Sequence, residues 1–191
     1  MSVVKLQSEV DDFWLNQKEK EIEYFDFKNL PFMTRCIMET LRLRTPLPNG
    51  TFRELLEDDY ITGLNGEKVL LKKGSYVQIP NIFRHINPKL WGDDARKFNP
   101  ERDFKDEELW NNSVINSYNP CTERFSPFTY GPRDCIGKNF SQIEMRLMLL
   151  YLIKNFEFTL TEKQLNTYKE ENMCHNSFTM GPRNIYNKSL E

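Results

Sequence analysis

The sequence predicts a mixed α+β domain, and three observations carry that prediction. Apolar residues recur at helical spacing before Pro46, the period switches to alternation between residues 51 and 79, and a long uninterrupted helical pattern returns after Cys135. The 191 residues read as one domain over positions 1–191, large enough to bury roughly 70% of its unfolded surface.

In residues 2–20, Val3, Leu6, Val10, Phe13 and Trp14 stand three and four apart and predict a first helix. Asn29-Leu30-Pro31 caps and starts a second, with Pro31 in its first turn and Met33, Ile37, Met38 and Leu41 as its apolar stripe. Pro46 and Pro48 end it. Short alternating runs at residues 60–62 and 68–71 flank Gly63-Leu64-Asn65-Gly66, a hairpin signal, and Lys73-Gly74 marks another turn before a strand at 76–79. A short helix is expected at 81–85. Residues 86–127 carry three Asn-Pro pairs and little periodicity, and a loop region of that length in a compact domain is usually functional. From 136 to 156 a long helix is expected, with Phe140, Ile143, Leu147, Leu150, Tyr151 and Ile153 on one face and no Gly or Pro after Gly137. Segments at 156–160 and 184–189 look like strands that join those of residues 51–79 in a small mixed sheet.

Composition narrows the function. Apolar residues at 39% and charged residues at 28% suit a soluble globular protein. A net charge of −2 offers no basic field for nucleic acid. Cys36, Cys121, Cys135 and Cys174 form no C-x-x-C pair, which points to reduced thiols in a reducing, intracellular compartment. His85 and His175 lack metal-ligand spacing to any cysteine pair, so zinc is not expected. No apolar run approaches the roughly 18 residues needed to cross a bilayer, and Met1-Ser2-Val3-Val4-Lys5 lacks a signal-peptide core. The protein reads as soluble, with no membrane segment.

The decisive segment is Phe128-Thr129-Tyr130-Gly131-Pro132-Arg133-Asp134-Cys135-Ile136-Gly137. Here a Gly/Pro-rich loop gives way to the long helix, and the cysteine sits at the junction. A thiol at a helix N-terminus meets unpaired N–H groups and the positive end of the dipole, which favour a thiolate. Iron takes a thiolate, and N–H bonds to the sulfur tune its electron donation. Gly131 and Gly137 remove side chains where a flat macrocycle approaches the backbone, Phe128 is placed to shield the sulfur, and Arg133 offers a charge to a carboxylate.

This segment matches F-x-x-G-x-R-x-C-x-G, and the protein thereby resembles the cytochrome P450 family. Five fixed residues recur by chance in a sequence of this length on the order of once in ten thousand. The resemblance implies haem b (iron protoporphyrin IX) with Cys135 as axial iron ligand, and Phe128, Gly131, Arg133 and Gly137 around it. Arg133 matches a haem-propionate contact of the family, and Arg53 lies near where many members place a second. Glu39-Thr40-Leu41-Arg42 matches the family's E-x-x-R pair, and Phe98-Asn99-Pro100-Glu101-Arg102 its F-x-P-x-R segment, which implies a structural cluster of Glu39, Arg42 and Arg102. The fold implied is the C-terminal part of the family's: K helix, small mixed sheet, meander loop, cysteine loop and L helix. Residues 85–88 read His-Ile-Asn-Pro where the family usually has H-R-D-P, and His85 is expected to be a structural hydrogen bonder. Lys138 and Arg146 stand where members present positive charge to an electron-donor protein.

Oxygen activation in the family uses a small–Gly–x–acid–Thr segment upstream of E-x-x-R. The first glycine here is Gly50, after Glu39, so that segment is not in this sequence. The protein is therefore expected to be a truncated haem-thiolate protein. Completed by a second chain or a longer product that supplies the distal half, it would be a monooxygenase that inserts one oxygen atom into an apolar substrate. The alternative is a haem-binding or interaction remnant without turnover.

Overall fold

The computed structural model describes residues 2–18, 20–102, 124–129 and 132–158. Its elements, in sequence order, are α1 (Ser2–Gln17), a 3-10 turn (Tyr24–Asn29), α2 (Pro31–Leu43), β1 (Phe52–Glu54), β2 (Asp59–Thr62), β3 (Lys68–Leu71), β4 (Tyr76–Gln78), α3 (Asn81–His85), α4 (Pro88–Trp91) and α5 (Lys138–Asn155).

α1, α2 and α5 pack on one another in pairs, and α3 joins α2 to α4. Val10 and Phe13 from α1, Met33, Ile37, Met38 and Leu41 from α2, and Leu150 from α5 form one buried cluster with Trp91, Ala95 and Phe125. The apolar stripe expected on α2 is thus its core face. β2 and β3 form the expected hairpin, with Tyr60 opposite Leu70 and Ile61 opposite Val69. β4 returns to pair with β1, placing Arg53 opposite Val77. Among the described residues these are two separate antiparallel ladders, so the mixed sheet is not seen there. Residues 156–158 form no strand, and the segments at 159–160 and 184–189 lie outside the described residues.

α4 has a local cause that the loop reading missed. Asn87 accepts from Lys89 N at 3.0 Å, and Pro88 takes the first helical position, where its missing N–H costs nothing.

α2 is capped from outside. Leu30 holds its N-cap position without a side-chain bond, and Asn29 does not cap it. Instead, Phe32 N and Met33 N each donate to the Glu9 carboxylate of α1, both at 2.7 Å. A carboxylate at a helix N-terminus satisfies orphan donors and meets the positive end of the dipole. Burial raises the Glu9 pKa above the ordinary carboxylate value, against the pull of those two N–H groups and of Lys5. Glu9→Ala is expected to cost about 2 kcal/mol in urea unfolding. An unchanged midpoint would show that water replaces the cap without loss.

Candidate haem-thiolate site

The site has a frame and a loop. In the frame, Glu39 and Arg42 share one face of α2 at i and i+3, and neither is exposed to solvent. Arg42 Nε donates to Glu39 Oε2 at 2.7 Å and Nη2 to Oε1 at 2.8 Å, a two-pronged pairing of guanidinium and carboxylate. Arg102, only 8% exposed, adds an Nε bond to Glu39 Oε1 at 3.4 Å. The three residues form one buried cluster.

Two further groups complete it. Asn99 N donates to Glu39 Oε1 at 3.0 Å, and Arg102 Nη1 donates to Asp94 Oδ1 at 2.5 Å. Burial disfavours the charge on Arg102, but its bonds to Asp94 and Glu39 prevail and its pKa lies above the usual value. The Arg102 hydrogen bond in turn holds Asp94 below the usual carboxylate range. Asp94 was missed from sequence because nothing in its spacing distinguishes it from the neighbouring Asp93.

Arg42 also gathers backbone. Its Nη1 donates to the carbonyls of His85, at 2.6 Å, and Ala95, and its Nη2 to that of Lys97 at 3.2 Å. Its guanidinium lies 5.0 Å from the centre of the Trp91 ring, on which Arg124 also stacks at 4.3 Å.

His85 is a structural hydrogen bonder. Fully buried, it accepts from Ser126 N at Nε2, 3.1 Å away, and so ties α3 to the segment that opens the cysteine loop. Arg84 donates to Ser126 Oγ beside it. Burial, with the Arg84 and Arg42 guanidiniums, pushes the His85 pKa down to about 3.

In the loop, Cys135 N donates to Phe128 O at 2.9 Å, and Lys138 N to Cys135 O at 3.2 Å. Thr129 has φ of +65°, an uncommon conformation for a β-branched residue, and is held there by bonds from its N to Ser126 O (3.1 Å) and from its Oγ1 to Arg133 O (3.3 Å). Cys135 is exposed and lies two residues before Gly137, the N-cap of α5, rather than in the first helical turn. Phe128 is half-buried against the core cluster. Arg133 is exposed. Arg53, also exposed, turns back along β1 and donates to Phe52 O at 2.9 Å. Gly131, Cys121 and Cys174 lie outside the described residues. Cys36 is a half-buried free thiol whose pKa is pushed up to about 11 by burial and by Glu9.

The loop fits a haem. The Cys135 thiol is exposed, and the apolar Ile136 beside it is fully open to solvent. A Cβ added at Gly137 would meet only Cys135 Sγ, at 3.8 Å, so that flank of the sulfur carries no side chain. A soft sulfur donor next to bare backbone and apolar surface is a donor set suited to haem iron.

Two expectations for α5 are corrected. Arg146 is fully buried, donating to Gln142 O at 2.8 Å and to Thr34 Oγ1 of α2 at 3.2 Å, so it cannot present charge to an electron donor. Lys138 is partly buried and paired with Asp134 at 2.7 Å. The buried face matches the expected one only in part: Leu150 is buried and Ile143 and Ile153 pack against the core. Gln142, Arg146 and Leu150 point inward, while Phe140, Leu147 and Tyr151 are exposed. α5 is apolar around most of its circumference, so spacing alone does not select a side.

Known proteins resemble this chain in sequence and in fold. The sequence model of the family Cytochrome P450 matches residues 3–188. Cytochrome P450 4F8 of Homo sapiens is 32% identical over 157 residues, covering 80% of this chain and 26% of the human protein. A bifunctional cytochrome P450/NADPH–P450 reductase of Fusarium oxysporum is 34% identical over 158 residues, 83% of this chain and 14% of that protein. The crystal structure of a cytochrome P450 (CYP102L1) superposes with a TM-score of 0.65 at 24% identity, over 95% of this chain and 36% of its own. This chain belongs to the cytochrome P450 family. It spans about a quarter of the length of the human relative.

Two outcomes test the frame. Glu39→Gln leaves the buried Arg42 guanidinium without a counter-charge and is expected to cost about 3–5 kcal/mol. Asp94→Asn, at a 42% exposed side chain, should cost less than about 1 kcal/mol. Equal losses in denaturant melts would place the anchoring charge at Asp94 instead. The second outcome is a pH dependence. The folded His85 pKa lies below the unfolded value of about 6.5, so the unfolded state binds the extra proton. Stability is then complete above that value and falls as pH drops toward about 3, by at most about 1.4 kcal/mol per pH unit. The raised pKa of Glu9 acts in the opposite sense, so the comparison is made against His85→Gln. Identical pH profiles for the two proteins would contradict the assignment.

Proposed function

We propose that this protein supplies the thiolate side of a haem-thiolate monooxygenase site, with Cys135 as axial ligand to the iron of haem b. The observation that carries the reading is an exposed thiol inside the complete signature, with bare backbone at Gly137 on its flank. When bound, the haem supplies the redox chemistry by which one oxygen atom enters an apolar substrate, with two electrons from a donor protein.

The protein's own residues prepare the ligand. The bond from Cys135 N to Phe128 O and the strained Thr129 turn fix the sulfur's position before anything binds. Gly137 leaves room for the macrocycle, and with haem bound Phe128, which lies half-buried at the start of the loop, would shield the sulfur. The exposed guanidinium of Arg133 takes one propionate, and Arg53, released from its bond to Phe52 O, takes the other. Glu39, Arg42 and Arg102 have a structural role, holding the loops behind the haem.

The reading includes further polypeptide over the distal face, in a second chain or a longer product. The exposed Phe140, Leu147, Met148, Tyr151 and Leu152 of α5 support it, since an independent haem-binding module would carry polar residues there. The free thiols of Cys36 and Cys135 suit a reducing intracellular compartment. No described helix is long and apolar enough to cross a membrane.

The test is the spectrum of the reduced, carbon-monoxide-bound protein after haem loading. The family's thiolate band is expected in wild type and in Cys36→Ser, and lost in Cys135→Ser. An unaltered band in Cys135→Ser would exclude the assignment, and its absence from wild type would leave the reading without its ligand.

A further inference from the structure

The sequence contains two exposed asparagines followed by glycine, Asn49-Gly50 and Asn65-Gly66, and the fold treats them differently. Gly50 is buried at φ +66°, and a Cβ there would lie 2.0 Å from Ile79 O. Its N donates to Leu47 O at 3.1 Å, and the next turn is tied down by Ile82 N to Pro48 O at 3.0 Å. Gly50 is therefore wedged against backbone that belongs to the entry of α3.

Gly66 stands at the tip of the β2–β3 hairpin at φ +82°, with no atom beyond its two chain neighbours within 4 Å of where a Cβ would be. Its N donates to Gly63 O at 3.0 Å, and Asn65 N donates to Glu67 Oε2 at 3.0 Å. All four residues of β2 are exposed, and so are three of the four in β3. A two-stranded ladder that open to solvent frays readily, and fraying frees the Gly66 amide.

We propose that Asn65 is a site of spontaneous deamidation, with Gly66 N as the nucleophile and isoaspartate and aspartate as products. The Gly66 N–H is deprotonated by hydroxide, and its nitrogen attacks the Asn65 Cγ. A new C–N bond closes a five-membered succinimide as the bond from Asn65 Cγ to Nδ2 breaks, and ammonia leaves with the proton. Water then opens the ring at either carbonyl. No oxidant or reductant takes part. A glycine at the second position lets the nitrogen approach because no Cβ stands in the way. The product adds a negative charge beside Glu67, and isoaspartate adds one carbon to the backbone of the turn. Both changes loosen the register that sets Tyr60 against Leu70.

The experiment is incubation of the 191-residue chain at mildly alkaline pH, followed by peptide mapping and isoaspartate detection with a carboxyl methyltransferase. In native buffer, Asn65 is expected to convert about tenfold or more faster than Asn49, because the hairpin opens locally and the Gly50 turn does not. In denaturant the two rates should converge, since both share the Asn-Gly chemistry, and Asn65→Gln should abolish the hairpin product only. Equal native rates, faster conversion at Asn49, or conversion at Asn65 only in denaturant would each overturn the proposal.

Discussion

A carboxylate with no access to water is the constraint around which the described fold is organised. Glu39 lies within the α2 interface, and its charge is tolerable only with guanidinium groups and N–H donors on its oxygens. Those donors come from positions 42, 99 and 102, so the buried charge dictates where the backbone about sixty residues downstream must lie. A pair buried this way adds little net stability over a well-packed apolar core. Its effect is to make misplacement expensive. If residues 99–102 drift, Glu39 and Arg42 lose partners in a place water cannot reach. Arg42 extends the constraint to the backbone: its bonds to the carbonyls of His85, Ala95 and Lys97 act with those of Arg102 to the carbonyls of Trp91, Asp94 and Lys97 to fix the stretch that carries α4.

The constraint reaches the cysteine loop by two routes. The first runs through α3: Arg42 holds the His85 carbonyl, and the His85 imidazole receives Ser126 N, three residues before Thr129 forms its strained turn. The neutral state of His85 matters here, because an imidazolium has no lone pair to accept that N–H. The second runs through α5. Arg146 spans from its own helix to Thr34 on α2, within the turn that Glu9 caps from α1. A buried arginine tolerates little displacement, so α5 is fixed relative to α2, and Cys135 is three residues upstream of its first turn. The thiol is thus exposed while the loop that carries it is held at both ends.

What could be read from the sequence depended on local chemistry. Asn65-Gly66 specifies a hairpin because the turn needs positive φ, and Glu39 with Arg42 at i and i+3 specifies contact on a helix. The ten residues from Phe128 to Gly137 point to the family because they match its signature at all five fixed positions. Groups recruited across long separations left no such trace. Glu9 is an ordinary acidic residue on an amphipathic helix until α2 docks on it, and Asp94 is one of two adjacent aspartates. Arg146 reads as a surface cation because arginine usually is one. Buried, it donates to Thr34 across the α2 interface and to Gln142 O, and no periodicity records that.

α5 shows the same limit from the other side, and there the ambiguity itself carries meaning. A helix that packs once shows one apolar stripe and a polar remainder. α5 buries Leu150 beside Gln142 and Arg146, yet Phe140, Met148 and Tyr151 on its far side are half or more exposed. α5 thus carries apolar residues on both sides, with Leu150, Ile143, Met145, Leu149 and Ile153 on the core and five large apolar residues outward. Left in water, such a face forgoes about 25 cal/mol for each Å² that stays uncovered, which would penalise an independent module. The face also begins at Phe140, five residues after the ligand, and Ile136 stands between them. Exposed apolar side chains therefore follow the proposed ligand closely in sequence, at Ile136 and Phe140. A single apolar layer over these side chains would bury them and keep water from the sulfur together.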